Sequence, residues 1–174
     1  MILAAMLSAT LGCARQPADH FFSYLRARCG ESYTGKTVFP DSPDHPFAGR
    51  TLVMEIADCS DSEIRIPFRV GADTSRTWVL KKTAQGLELK HDHRHPDGSP
   101  DELTLYSGTA VTPGTSVSQS FPADAATGKM VPEGKTNVWT LTIDPERAIF
   151  VYYLERHGKP RYKAIFDMAE AAGH

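Results

Sequence analysis

From Thr51 onward the apolar residues fall on alternate positions. Leu52, Met54 and Ile56 share one parity over 51–57, and Ile64, Ile66, Phe68 and Val70 share one over 63–70. Successive strand side chains point to opposite faces, so each set predicts a strand with one buried face. Pro67 interrupts the second run, which points to an edge or a bulge there. The same pattern predicts strands over 76–83, 87–95, 102–107, 116–121, 137–143, 148–154 and 162–168, eight or nine in all. Turn chemistry separates them, most strongly at Pro96-Asp97-Gly98-Ser99-Pro100. Residues 122–135 read as a long loop rich in Ala, Gly and Pro.

One earlier segment has a helical period instead. Phe21, Phe22, Leu25 and Cys29 fall on one face, Asp19 is placed to cap, Arg26 and Arg28 suit the C-terminal end, and Gly30 stops the run. This predicts an amphipathic helix of about ten residues. Short connections between many strands then predict a mainly β domain over 19–174. The expected form is a single antiparallel up-and-down barrel with that helix at its N-terminus; a β-sandwich is the alternative.

Residues 1–12 contain no Asp, Glu, Lys or Arg, and Leu3, Ala4, Ala5, Met6, Leu7, Ala9 and Leu11 make a short apolar core. A bilayer-spanning helix needs about 20 apolar residues, so 1–12 reads as an export signal. Thr10-Leu11-Gly12-Cys13 resembles the bacterial lipobox, in which the Cys takes lipid on its thiol. The resemblance implies a lipidated Cys13, a linker over 13–18, and membrane contact through the lipid alone. Ala14 after the Cys, in place of Asp, implies an outer-membrane-anchored protein facing the periplasm or the cell surface. Cys29 and Cys59 remain. An even number of thiols in an oxidising compartment permits one disulfide, and two separate buried thiols are the other reading.

Lys and Arg total 19 against 21 Asp and Glu, for a formal net charge of -2, and the basic residues are scattered. No basic patch calls for nucleic acid. Gly-rich phosphate loops, Cys-x-x-Cys and Gly-x-Ser-x-Gly are all absent from the sequence.

The most unusual stretch is Leu87-Glu88-Leu89-Lys90-His91-Asp92-His93-Arg94-His95. Alternation puts Leu87, Leu89, His91, His93 and His95 on one face, with Glu88, Lys90, Asp92 and Arg94 on a solvated one. A five-residue turn would pair His95 with Asp101, His93 with Leu103 and His91 with Leu105, and would leave Tyr106 facing outward. The histidine row then continues a buried stripe toward one rim.

Three readings of that row stand open. It can be a hydrogen-bonded structural rim. It can provide polar contacts, His91 and His93, in a small-ligand cavity whose apolar wall is Trp78, Trp139, Phe68 and Tyr152, although each aromatic alone is equally at home in an ordinary core. It can hold a divalent metal through His91, His93 and His95 with Asp101. Alternate residues on a strand lie about 7 Å apart and the outer pair about 13 Å, so one straight strand cannot gather all three. Arg76 begins a strand from which it could reach an anion at the barrel mouth; a plain surface role is the alternative.

A helix followed by antiparallel strands resembles the calycin group of ligand-binding barrels. The Cys59-Ser60-Asp61 turn and the His91–His95 stretch resemble uncharacterised bacterial lipoproteins of similar length. The first resemblance implies a small, largely apolar ligand in a barrel cavity. The alternatives are a metalloprotein or enzyme with His93 as ligand or base, and a structural envelope protein without a pocket. The mature N-terminus is expected to be a lipidated Cys13. Mass spectrometry of the envelope-extracted protein tests this, and a mature chain still beginning at Met1 would end the idea.

Overall fold

The computed structural model describes residues 16–40, 42–169 and 171. The expected export signal and Cys13 lie outside the described residues. Among them, no helix is long and apolar enough to cross a membrane.

Helix α1 spans Pro17–Arg26. Gln16 is its extended N-cap and Pro17 its first residue, a position where proline loses no hydrogen bond and presets φ. The helix therefore starts ahead of Asp19. That residue sits in the first turn, where its carboxylate pairs with Lys82 at 2.9 Å. Phe21, Phe22 and Leu25 are buried. Cys29 lies beyond the helix, exposed, and is joined to Cys59 in a disulfide with 6.1 Å between Cα atoms. The bridge staples the end of α1 to the turn between two strands. Its sequence separation of 30 corresponds, in the chain-entropy picture, to about 3–4 kcal/mol.

Ten strands follow: β1 (Ser32–Phe39), β2 (Leu52–Glu55), β3 (Glu63–Val70), β4 (Asp73–Thr83), β5 (Gly86–His93), β6 (Tyr106–Thr109), β7 (Ser118–Pro122), β8 (Asn137–Asp144), β9 (Ile149–Arg156) and β10 (Lys159–Asp167). They form one antiparallel sheet, ordered β6-β5-β4-β3-β2-β1-β10-β9-β8-β7, nearly closed into a barrel. Strand β1 adds to the expected set. Its inward positions are Tyr33, Gly35 and Thr37, too weakly apolar to read as a period. Gly35 is required by packing, since a Cβ there would lie 2.5 Å from the Phe166 ring.

Strands β1 and β10 pair, which closes one side of the barrel. The open seam falls instead between β6 and β7. There the expected loop contains α2 (Ala125–Met130), capped by Asp124. The Asp124 amide donates to the Ser107 carbonyl at 3.0 Å. The Thr127 hydroxyl accepts from the Ser107 amide at 2.8 Å and donates to its carbonyl at 2.7 Å. Lys90 of β5 reaches Asp124 at 2.5 Å.

Polarity is graded along the barrel axis. On β5 the inward row runs Leu87, Leu89, His91, His93, and on β4 the facing row runs Leu80, Trp78, Arg76, paired as Leu80↔Leu89, Trp78↔His91 and Arg76↔His93. Helix α1, held by Lys82 at the far end of β4, closes the aliphatic end. The aromatic and polar end stays open.

The seam has no room for a side chain at Gly108 of β6. A Cβ at Gly108 would lie 2.1 Å from the Pro122 carbonyl oxygen. Gly108→Ala is expected to lower stability by about 1–3 kcal/mol through overpacking, read as a lower urea midpoint at an unchanged slope.

Candidate functional site

At the open end lies a cavity of about 370 Å³. Its walls include Phe68, Trp78, His91, His93 and Tyr152, five of the six residues expected to contact a ligand. The sixth, Trp139, lines an adjoining cavity of about 280 Å³. His93, Tyr106, Tyr152 and Leu154 border both spaces and form the partition between them. A larger and more open depression of about 600 Å³ runs along β1 and the 40–51 loop, but no aromatic or histidine lines it.

Aromatic stacking builds the floor. Trp78 lies between Phe68, with centroids 4.7 Å apart, and Tyr152, 4.6 Å away and inclined by 6°. Trp78 and Trp139 are each 2 % exposed, so they fill the middle of the barrel while the void remains at its mouth. The loop residues His45, Pro46 and Phe47 cover part of that mouth. His45 stacks on Tyr162 at 5.2 Å, and Phe47 packs edge-on against Tyr162 and Phe68. The Arg76 guanidinium lies 5.2 Å over the Phe47 ring and is ion-paired with Asp73.

His91 is 3 % exposed and has partners at both ring nitrogens. The Tyr106 carbonyl, 3.3 Å from Nδ1, can only accept, so Nδ1 carries the proton. Nε2 then accepts from the Tyr152 hydroxyl at 2.8 Å. Burial disfavours the imidazolium and pushes the pKa down to about 3. Burial, followed by the Arg76 charge, also lowers His93. His93 Nε2 lies 3.2 Å from the Tyr106 hydroxyl, and that phenol is pushed up to about 12 by burial. At neutral pH the site thus presents neutral imidazoles and neutral phenols, with charge only on the arginines.

The β5–β6 register differs by one residue from the expected pairing. His91 faces Tyr106, and Lys90 faces Ser107. Leu103 and Leu105 are consequently 49 % and 52 % exposed. The cause is the stretch beyond the turn. Arg94 bridges Pro100, so the five residues 101–105 lie opposite only Asp92 and His93. The excess bulges outward, with Leu105 at φ 58° and Ser107 at φ 120°. Tyr106, expected to face outward, therefore stacks on His91 at 4.6 Å. The bulge also buries Asp92, expected to be solvated. It is 3 % exposed, held by Arg65 at 2.7 Å and Arg94 at 2.8 Å, with Thr104 against it. These arginines hold its carboxyl below the usual range against the opposing effect of burial.

The residues considered for a metal do not come together. His95 is exposed in the turn, where its amide donates to the Ser99 carbonyl. Asp101 accepts from the Leu103 amide. Among the described residues no group of three or more His, Cys, Asp or Glu side chains is placed to hold a metal ion. Sequence reading missed His45, Phe47, Tyr106, Leu154, Arg161 and Tyr162 as cavity residues. The first two lie in a proline-rich loop with no period to place them, whereas Tyr162 and Leu154 share the inward parity of strands already recognisable.

Comparison with protein-family models, curated proteins and solved structures finds no match for the chain.

The depressed His91 pKa makes stability depend on pH with a defined sign. An unfolded histidine titrates near 6.5, so between about 6.5 and 3 the unfolded chain binds more protons than the folded one. Stability is present above pH 6.5 and is lost as pH falls. Between pH 6.5 and 5, above the carboxylate range, His91 accounts for a loss of about 1.5–2 kcal/mol. Denaturant titrations at the two pH values check this. His91→Gln should flatten most of the slope, leaving a smaller part from His93 and His45, which are also depressed.

Proposed function

We propose that the domain is a binding module, a barrel tethered at Cys13 that holds one small, largely apolar ligand at its mouth. The observation that carries this reading is the 370 Å³ cavity at the polar end of the barrel, walled by the buried rings of Phe68, Trp78, His91 and Tyr152. Its size falls at the lower end of the range for small-molecule sites. A few placed polar groups amid apolar walls are what such sites use to orient a ligand.

The polar contacts differ in kind. Both nitrogens of His91 are engaged within the protein, so it serves as a fixed wall that keeps Tyr152 in place. His93 spends Nε2 on Tyr106, and its Nδ1 has no hydrogen-bond partner among the described residues, which makes it the histidine suited to meet a ligand. The lipid tether and the envelope location rest on the sequence resemblance at Thr10–Cys13 and belong to the same proposal.

Native mass spectrometry of protein purified from its own envelope should reveal a co-purifying small molecule. Leu154→Trp adds bulk at the partition and should abolish that adduct while leaving the melting temperature within a few degrees. Val111→Trp, on a residue 79 % exposed, should change neither. An adduct-free wild-type protein that also fails to take up any apolar probe would overturn the binding module.

A further inference from the structure

The cavity walls carry two formal charges and both are positive. Arg76 and Arg161 line it, and no Asp or Glu does. The remaining polar walls are histidines, of which His91 and His93 are held neutral, and the phenols of Tyr106, Tyr152 and Tyr162. Acidic groups come near without lining the cavity, Asp92 from the outer face of β5 among them. Asp73 pairs with Arg76, and Asp101 acts electrostatically on His93 and Tyr106 from outside the lining. Arg161, exposed at the β10 irregularity between Pro160 and Tyr162, forms no ion pair among the described residues, and its charge is felt at His45. An arginine fork has the geometry to take a carboxylate or another oxyanion through two parallel hydrogen bonds.

Shape restricts the rest of the ligand. Trp78, Trp139, Phe150 and Phe166, each at most 2 % exposed, pack below the cavity, which favours a compact ligand over a long chain. Phe47, Phe68, Tyr106 and Tyr162 surround the space with ring faces and edges, which suits a flat, compact body.

We infer that the ligand is a compact planar-ring organic acid, its ring body among Phe47, Phe68 and Tyr106 and its anionic group at the mouth between Arg161 and Arg76. This rests on the binding-module reading and goes beyond it by fixing the charge and shape of the ligand. Arg161 is the principal reader, since Arg76 already shares its charge with Asp73.

The test compares two probes with the same ring system, 2-naphthoate and 2-naphthalenemethanol, titrated into the mature protein by isothermal calorimetry and by tryptophan fluorescence. The naphthoate should bind at least about tenfold more tightly, the factor that 1.4 kcal/mol represents. The preference should shrink in Arg161→Gln and vanish in the Arg76→Gln/Arg161→Gln double variant, while the alcohol's affinity stays the same. Thermal melts of the variants establish that they remain folded. Equal binding of both probes to the wild type would overturn the acid assignment and leave the cavity reading standing. So would a preference that survives the double variant. Binding of neither probe would overturn the planar-ring acid assignment, and together with an adduct-free wild-type protein that takes up no other apolar probe it would overturn the binding module as well.

Discussion

The hydrogen bond from Tyr152 to His91 joins walls of the barrel that lie 61 residues apart in the chain. It sits where the core changes from aliphatic to polar. Below it, Leu80, Leu89, Leu141 and Phe150 pack without polar atoms. Above it, the barrel opens. A buried imidazole with a free lone pair would be costly, and the phenol satisfies it while remaining part of the stacked floor. The cavity therefore owes its depth to one polar contact: the bond fixes Tyr152 against Trp78, and Trp78 against Phe68.

Much of the barrel is written in period-two rows. Strands β3, β8 and β9 alternate so regularly that their inward faces can be named before any coordinates exist, and Phe68, Trp139 and Tyr152 lie on those faces. The face carrying His91 and His93 was legible for the same reason. The position opposite them was not. Five residues accommodated against two shift the pairing by an amount that no alternation reports, and the shift turns Tyr106 inward and Leu103 and Leu105 outward. Strand β1 was illegible for another reason. Its inward row is interrupted at Gly35, where Phe166 already occupies the space a side chain would take.

The seam between β6 and β7 shows how a sheet can end without a bare edge. Ladder bonding gives way there to the α2 cap, in which Asp124 and Thr127 take up both backbone groups of Ser107. Lys90 adds a charge contact to the same cap. An edge satisfied in this way offers little to a passing strand. The exposed Leu103 and Leu105 beside it follow from the bulge rather than from any irregularity in the seam itself.

The pairing of β1 with β10 has a consequence for how the molecule comes into being. Gly35 must find Phe166, so this contact spans nearly the whole length of the domain. Contacts between such distant residues make folding slow, because the chain must order itself before they can form. Until β10 has been synthesised and delivered, β1 and β9 each remain a raw border. The barrel is thus completed last at the place where its first strand meets its tenth.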